Sequence, residues 1–185
     1  WADMNDLFKI GRPFHGAILS ACGQYRYRLW RELRAETPAR IVWIMLNPST
    51  ADAEVDDATL RRVTGFSRDW GYGRTDVVNL YGYRATRPRD LYSVADPTGP
   101  ENDRHIAEAL SDPDVEQVML AWGQYQGPGI EARRTAVLEL VRVHSAFTPF
   151  CLGKTKDGQP LHPLRLEAST KRVFFRRLSD APIIA

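Results

Sequence analysis

The sequence predicts an α/β fold: a three-layer α/β/α domain with a four-stranded parallel sheet and an N-terminal β-hairpin. Four apolar runs have the length of strands and are nearly continuous in hydrophobicity, which is typical of strands covered on both faces. Helical patterns separate these runs, so the order β-α-β-α-β-α-β requires parallel strands with right-handed crossovers. The 185 residues suit a single domain over residues 1–185.

Local patterns define the individual elements. A helix over 57–70 is predicted because the capping-type Asp57 begins it and Gly71 ends it. A hairpin is predicted over 18–29, where apolar residues alternate with arginines in the second run and so predict one strongly basic face. The predicted strands are 41–46, 76–81, 117–122 and 147–152, and the other predicted helices are 102–110, 130–143 and a basic C-terminal helix at 169–178.

The charged residues and the cysteines bear on the possible partners and on the cellular compartment. A net charge of +2 neither demands nor excludes a nucleic-acid partner. The 21 arginines against 4 lysines suit phosphate recognition, but they also suit a genome that favours Arg codons. Cys22 and Cys151 form no C-x-x-C pair, which argues against a disulfide framework or a zinc site and for a reducing cytoplasm. Cys151 lies in an apolar strand, where packing is the expected role.

The chain carries no sign of export or of a membrane partner. No apolar run reaches the roughly 18 residues that a membrane span needs. The first residues do not combine a basic segment with an apolar stretch, so we expect no secretory signal and a cytoplasmic protein. We expect Met4 to be the natural start, with residues 1–3 added to it.

Polar motifs follow all four predicted strands. The carboxyl ends of parallel strands share one edge of a sheet, and ligands bind there, so we expect one active-site-like cleft. The motifs are Asn47-Pro48-Ser49-Thr50-Ala51-Asp52, Asn79 with Tyr81-Gly82-Tyr83-Arg84-Ala85-Thr86-Arg87, Trp122-Gly123-Gln124-Tyr125, and Gly153-Lys154-Thr155-Lys156 with His162-Pro163-Leu164.

Each motif also has a purely structural interpretation. Asn47 before a proline can shape a turn, and Trp122 can close the core at a strand end. Asn79 in an apolar strand needs hydrogen-bond partners, which either a ligand or the protein can supply. His162 lies in a rigid Gly- and Pro-rich loop, where an imidazole is as often functional as structural.

Metal and cofactor chemistry finds no support in the motifs. Acidic residues gather at the start of the first helix, where capping and the helix dipole explain them better than a divalent cation does. The acids are Asp52, Glu54, Asp56 and Asp57. The phosphate-binding loop, the dinucleotide fingerprint and the zinc-protease motif are all absent. We therefore expect no metal and no cofactor.

Most of the chain, over about 18–166, resembles a bacterial and phage family known as a domain of unknown function. The resemblance is specific, but the family brings no assigned activity. The matching stretches are Met45-Leu46-Asn47-Pro48-Ser49-Thr50-Ala51-Asp52, Val78-Asn79-Leu80-Tyr81-Gly82-Tyr83-Arg84, Asp96-Pro97-Thr98-Gly99-Pro100-Glu101-Asn102-Asp103, Ala121-Trp122-Gly123, and the Lys154 and His162 segments.

The chain is also distantly similar to the uracil-DNA glycosylase superfamily. Enzymes of that superfamily have a four-stranded parallel sheet and a catalytic loop of Asp-Pro or Asn-Pro type after the first strand. A base-reading Asn on the second strand, a Trp-Gly at the end of the third and a His-Pro after the fourth complete the pattern. Asn47-Pro48, Asn79, Trp122-Gly123 and His162-Pro163 follow in that order.

This similarity implies an N-glycosidase, a hydrolase that flips a uracil-like or modified base out of nucleic acid, in DNA repair or modification. Asn47 would position the attacking water, and His162 would stabilise the departing base. The implied base-binding residues are Asn79, Pro48, Tyr81 and Trp122. The implied phosphate and nucleic-acid contacts are Ser49, Thr50, Arg84, Arg87, Lys154, Lys156 and Arg165. The implied partner is DNA rather than RNA, bound by a monomer.

Departures from the superfamily keep two other functions open. An amide is no useful general base, so Asn47 implies slow catalysis. The loop after His162 lacks serines, and the segment 96–103 has no counterpart. The alternatives are a non-catalytic nucleic-acid or nucleotide-binding module on the same fold, and a nucleoside or nucleotide hydrolase.

Overall fold

One mixed β-sheet of seven strands organises the chain in the computed structural model, which describes residues 15–34, 36–49 and 55–175. The order across the sheet is β1-β2-β4-β3-β5-β6-β7. The strands are β1 (His15–Leu19), β2 (Arg26–Glu32), β3 (Arg40–Met45), β4 (Arg74–Asn79), β5 (Val115–Leu120), β6 (Phe150–Cys151) and β7 (Val173–Phe174).

The four predicted parallel strands form the centre of this sheet. β3 pairs in parallel with β4 and β5, so that Trp43 lies between Val77 and Met119, and β5 pairs in parallel with β6. The sheet as a whole is not the four-stranded one that the sequence predicts, because antiparallel strands extend it at both edges. The predicted hairpin, β1 and β2, is part of the same sheet.

The predicted C-terminal helix over 169–178 is wrong in the part that the structure describes. Val173 and Phe174 form β7, which pairs antiparallel with β6. The rings of Phe150 and Phe174 pack with centroids 4.2 Å apart. Backbone pairing and ring packing against β6 outweigh the weak helical preference of this segment. Residues 176–178 lie outside the described residues.

Three α-helices occur in the described ranges: α1 (Ala58–Asp69), α2 (Asn102–Leu110) and α3 (Ile130–His144). Their bounds agree with the three predicted internal helices to within a residue. Asp57 caps α1 by accepting a hydrogen bond from the backbone N–H of Leu60 at 2.7 Å. Short 3₁₀ turns occur at Pro88–Ser93 and Pro163–Arg165.

Helices cover both faces of the sheet. On β3, Ile41, Trp43 and Met45 belong to the core on the α1 side. Val42 and Ile44 belong to the core under α2 and α3. Every residue of β3 is buried, and this two-sided burial explains its continuous apolar sequence.

The basic face predicted for the hairpin is not a solvent-exposed face. The carboxylate of Asp76, which has no exposed side-chain surface, accepts from Arg28 Nε at 2.7 Å and from Arg74 Nε at 2.9 Å. β2 lies inside the sheet next to β4, so Arg28 meets the buried Asp76 rather than water. Removing Asp76 would leave Arg28 without this carboxylate and Arg74 with only its pair to Glu32.

Both cysteines are free thiols, Cys22 exposed and Cys151 buried in the core. Burial raises the pKa of the Cys151 thiol, which fits the predicted packing role. Within the ranges described, no helix has the length and apolar character to cross a membrane.

Candidate active site

A cavity of about 450 Å³ opens at the carboxyl ends of the parallel strands, on the face of the sheet that α1 covers. Its floor is apolar and includes Leu29, Met45, Leu60, Val63 and Val77. Polar side chains reach it from the loops that leave β3, β4, β5 and β6. The volume lies within the range of about 300–1,000 Å³ that is usual for small-molecule sites.

Five of the predicted site residues line this cavity: Asn47, Ser49, Asn79, Trp122 and His162. The other predicted residues do not line it. Pro48 and Tyr81 are buried beside it, whereas Arg84, Arg87, Lys154, Lys156 and Arg165 lie further out. Thr50 and the acids Asp52 and Glu54 lie outside the described residues.

Asn79, the last residue of β4, is 1% exposed and lines the cavity. Its Nδ2 is buried and has no hydrogen-bond partner among the residues that the structure describes. A buried amide nitrogen without a partner costs about 1–3 kcal/mol. Such groups are rare in folded proteins and call for an explanation. Asn79 Nδ2 is therefore a candidate contact for a ligand in this cavity.

The backbone around Asn79 is held in place by side chains from the helices below. Asn102, which is fully buried on α2, donates from Nδ2 to the carbonyl of Asn79 at 3.0 Å and to that of Leu80 at 3.2 Å. Arg133 on α3 donates to the same Leu80 carbonyl and to Asp103. The segment 96–103 thus provides the residue that fixes the end of β4.

Asn47 joins two of the loops at the cavity. Its Nδ2 donates to the carbonyl of Ala85 at 2.7 Å and to that of Pro48 at 2.9 Å. The N–H of Ala85 donates to the Pro48 carbonyl at 2.9 Å. Because both side-chain partners are acceptors, the nitrogen of the amide must face them. Asn47 therefore has a structural role in addition to any role in chemistry, and its oxygen is the end left for a ligand.

The imidazole of His162 is oriented by its own loop. Its Nδ1 accepts a hydrogen bond from the backbone N–H of Leu164 at 3.3 Å. An accepting Nδ1 carries no proton, so in the neutral ring the proton is on Nε2. Burial lowers the pKa of His162, and the carboxylate of Asp57 acts in the opposite direction. The neutral ring therefore presents an N–H donor.

Trp122 and Gly123 hold the His162 loop against the end of β5. The indole N–H of Trp122, which is 2% exposed, donates to Gln159 Oε1 at 3.0 Å. The N–H of Gly123 donates to the carbonyl of Pro160 at 3.0 Å. A Cβ on Gly123 would lie 3.1 Å from the Cβ of His162, and the φ of Gly123 is +74°. Only glycine fits both the turn and this close approach.

The predicted phosphate-contacting residues are spread around the cavity rather than gathered in it. Arg84 donates to the carbonyl of Gly23, and the exposed Arg87 pairs with Asp90. Lys154 and Lys156 line a second cavity of about 460 Å³ on the other side of Trp122. These side chains form no compact phosphate site of their own.

Sequence reasoning gave no site role to Arg26 or Asp57 and named Tyr125 only as part of the loop motif after the third strand, but all three line the cavity. Arg26 is a buried cation at the cavity wall, and it was missed because nothing local places β2 beside β4. Asp57 was assigned to helix capping alone, although its capping bond uses one of its two oxygens. Burial and the hydroxyl of Tyr92 raise the pKa of Tyr125, so Tyr125 is a neutral phenol.

No cluster of three or more His, Cys, Asp or Glu side chains that could hold a metal occurs in the part of the chain that the structure describes. The cavity contains one imidazole and one carboxylate among its described lining residues. Its chemistry therefore depends on amides, an imidazole N–H, a carboxylate and a guanidinium.

Comparison with known proteins gives one match. Residues 26–164 match a family described as "Protein of unknown function (DUF1643)". This range includes every cavity-lining residue described above. Neither a curated protein nor a solved structure gives a significant match.

Proposed function

We propose a function on the premise that this chain belongs to the DUF1643 family of proteins of unknown function, so that its activity must be argued from the cavity. The proposed activity is that of an N-glycosidase, which removes a uracil-like or modified base from nucleic acid. The distant similarity to uracil-DNA glycosylases suggests the same chemistry, and the cavity supports it independently.

One observation carries the proposal: the carboxamide of Asn79 is buried without a hydrogen-bond partner for its nitrogen, and it lines the cavity together with an imidazole. A carboxamide has one donor group and one acceptor. The amide edge of a pyrimidine such as uracil has the complementary pair. A flipped base would satisfy Asn79, and this contact would offset part of the cost of unstacking.

His162 suits the leaving base. Breaking the N-glycosidic bond leaves the electron pair of that bond on the base, and negative charge develops on its oxygens. Neutral His162 presents Nε2–H as a donor, and a preorganised donor in a buried site stabilises such an oxyanion. The hydrogen bonds of Asn47 to Pro48 and Ala85 direct its Oδ1 away from those carbonyls, which leaves the oxygen for the attacking water.

Nucleic acid, with DNA preferred, is the proposed partner. The proposal assigns contacts with the phosphates around a flipped nucleotide to basic side chains outside the cavity, because such contacts give affinity without sequence preference. These are Arg84, Arg87, Lys154, Lys156 and Arg165. We propose that the protein acts as a monomer in the cytoplasm.

The test is base release from defined oligonucleotides. Single- and double-stranded DNA and RNA oligonucleotides carrying uracil or 5-hydroxymethyluracil are incubated with the protein, and released base is measured by mass spectrometry. Hot alkali then reveals abasic sites in DNA as strand breaks. We expect release by the wild type and a loss of about 10²-fold or more in His162→Ala, because one oxyanion donor is removed.

His15→Ala is the matched control, because His15 is exposed on the edge strand β1. It should cleave at the wild-type rate. Salt-dependent binding of these oligonucleotides without any base release would instead support a non-catalytic binding module.

A hydrolase of free nucleosides or nucleotides is the second candidate, and the position of Arg26 favours it. This buried guanidinium lines the cavity, where it could pair with the phosphate of a nucleotide. The same mass-spectrometric assay with uridine and uridine monophosphate distinguishes the two. Release from the free compounds but from no oligonucleotide would assign the small-molecule activity.

A further inference from the structure

We propose that Asp57 supplies the carboxylate that activates the attacking water, a role that the amide of Asn47 cannot fill. This inference rests on the proposed N-glycosidase activity. It assigns a catalytic role to a residue at the first turn of α1, ten positions after Asn47 in the chain.

Asp57 lies close to the other groups of the proposed active site. Its side chain lines the same cavity as Asn47, Asn79 and His162. The electrostatic effect of its carboxylate on the pKa of His162 places the two groups in one neighbourhood. The 3₁₀ turn Pro163–Arg165 packs against α1, which brings the His162 loop to the start of that helix.

The two carboxylate oxygens of Asp57 differ in their hydrogen bonding. Oδ1 accepts the capping hydrogen bond from Leu60 N–H, and this bond fixes the orientation of the carboxylate. No hydrogen bond to Oδ2 is recorded from the described residues. A capped carboxylate with one oxygen left over can hold a water molecule in a set direction while it remains part of the helix.

Asp57 differs in charge from the other ionisable side chains that line the cavity. The ionisable side chains that line it, within the described residues, are Arg26, Asp57, Tyr125 and His162. Arg26 is a cation, Tyr125 is a neutral phenol, and His162, whose Nδ1 accepts a hydrogen bond from Leu164, carries its proton on Nε2 in the neutral ring. Asp57 is thus the one carboxylate among the described lining groups, and a carboxylate is the kind of group that serves as a general base towards water.

The proposed step is the hydrolysis of the N-glycosidic bond by one water molecule. The oxygen of water forms a bond to the anomeric carbon as the bond from that carbon to the base nitrogen breaks. The electron pair of the broken bond stays on the base, where His162 stabilises it. The proton of the water passes to Asp57 Oδ2 and then through solvent to the base. Until then the carboxylate also stabilises the positive charge that develops on the sugar.

The test uses variants that keep the helix cap. Asn and Ser cap helices as well as Asp does, so Asp57→Asn and Asp57→Ser should fold with a thermal midpoint close to that of the wild type. We expect single-turnover base release from the uracil and 5-hydroxymethyluracil oligonucleotides to fall by about 10²- to 10⁴-fold. Binding of the same oligonucleotides should be unchanged or tighter, because a negative charge near the phosphates is lost.

Asp56→Asn is the matched control. Asp56 precedes Asp57, pairs with Arg31 at 2.7 Å, and does not line the cavity. Its variant should lose some stability but keep the rate of base release.

Three results would overturn the inference, and they are distinguishable. A wild type that releases base while Asp57→Asn retains its rate to within about threefold overturns Asp57 and leaves the N-glycosidase standing. Parallel losses of rate and of binding would assign Asp57 to the architecture of the site instead. A wild type that releases no base from any substrate overturns the proposed function and the inference together.

Discussion

The carboxamide of Asn102 donates a hydrogen bond to the backbone carbonyl of Asn79 at 3.0 Å, while the carboxamide nitrogen of Asn79 itself has no partner. The two buried asparagines are in contact, but the side-chain nitrogen of Asn102 stabilises the fold through a hydrogen bond, whereas that of Asn79 does not. Asn102 Nδ2 donates to two backbone carbonyls, although its Oδ1 is buried without a partner among the described residues, whereas Asn79 Nδ2 donates to no described group.

Replacing each of these asparagines by leucine should separate the two roles. Asn79→Leu removes an unsatisfied amide, so the free energy of unfolding should stay the same or rise by up to about 1 kcal/mol, while base release is lost. Asn102→Leu removes the side-chain donor of the buried Asn79 carbonyl, while the Leu80 carbonyl keeps Arg133 as a donor, and the change should cost about 1–3 kcal/mol. Urea denaturation of both variants measures this difference. A large loss of stability in Asn79→Leu would mean that its amide does have a partner in the folded protein.

Asn47→Asp, the change that would mimic the faster glycosylases, should destabilise the protein rather than activate it. The nitrogen of Asn47 faces the carbonyls of Pro48 and Ala85, and a carboxylate oxygen there would face two other oxygens. We expect a loss of about 1–3 kcal/mol in urea denaturation. Asn47→Ala, which removes the donor without adding charge, should lose less. An Asn47→Asp variant as stable as the wild type would contradict this geometry.

Gly123→Ala should affect both folding and activity. The φ of +74° makes alanine cost about 1–2 kcal/mol, and the new Cβ would press on His162. Gly158 provides the control, because its φ is +73° and a Cβ there meets nothing within 4 Å. Gly158→Ala should lose similar stability but keep the rate of base release. Equal rates in the two variants would show that the contact with His162 does not matter.

The stability of the protein should depend on pH through His162. Burial lowers its pKa in the folded state, so the unfolded chain binds the proton more readily. The contribution of neutral His162 is fully present above the unfolded value of about 6.5 and is lost as pH falls through the lower folded value. Burial also lowers the pKa of His105, so the comparison needs a variant. His162→Gln should flatten the decline between about pH 7 and pH 5, measured by urea denaturation. An unchanged decline would contradict the shift.

Asp76 should be the most sensitive acid in the sheet. Asp76→Ala leaves Arg28 and Arg74 buried without their shared carboxylate, and we expect a loss of about 3–5 kcal/mol. Glu139→Ala breaks the exposed pair with Arg142 and should change the unfolding midpoint little, because solvent screens such pairs. Comparable losses in the two variants would mean that burial does not govern these ion pairs.

The sequence predicts the three internal helices and the order of the parallel strands well, because both leave strong local signals. The strand predicted at 117–122 lies at Val115–Leu120, and the one predicted at 147–152 is reduced to Phe150–Cys151. Nearly continuous apolar runs identify β3 and β5, and a cap with an apolar stripe identifies α1. β4 begins two residues earlier than predicted. Its first residues, Arg74 and Asp76, are charged, and their burial depends on pairing with β2 and with each other. A short element such as β7 depends on its partner strand and has almost no local signal.

The candidate site likewise contains residues that the local sequence identifies and residues that only long-range contacts bring to the cavity. Asn79 and His162 stand out because a polar side chain in a buried or rigid setting needs an explanation, and both line the cavity. Tyr81 has no such need and packs in the core instead. Arg26 reaches the cavity only because β2 pairs with β4, which is a long-range contact. The second oxygen of Asp57 could not be recognised from a capping motif that explains the first.

The antiparallel strands β1 and β7 lie at the two edges of the sheet, so the distance between them measures the width of the whole sheet. Six spacings of about 4.8 Å separate them, or about 29 Å along the sheet. Fluorescent dyes on cysteines introduced at the exposed His15 and Val173, in a variant whose exposed Cys22 is replaced by serine, would report by energy transfer whether the whole sheet is intact. Neither dye would touch the cavity, so the same labelled sample could be titrated with substrate while its folding is monitored.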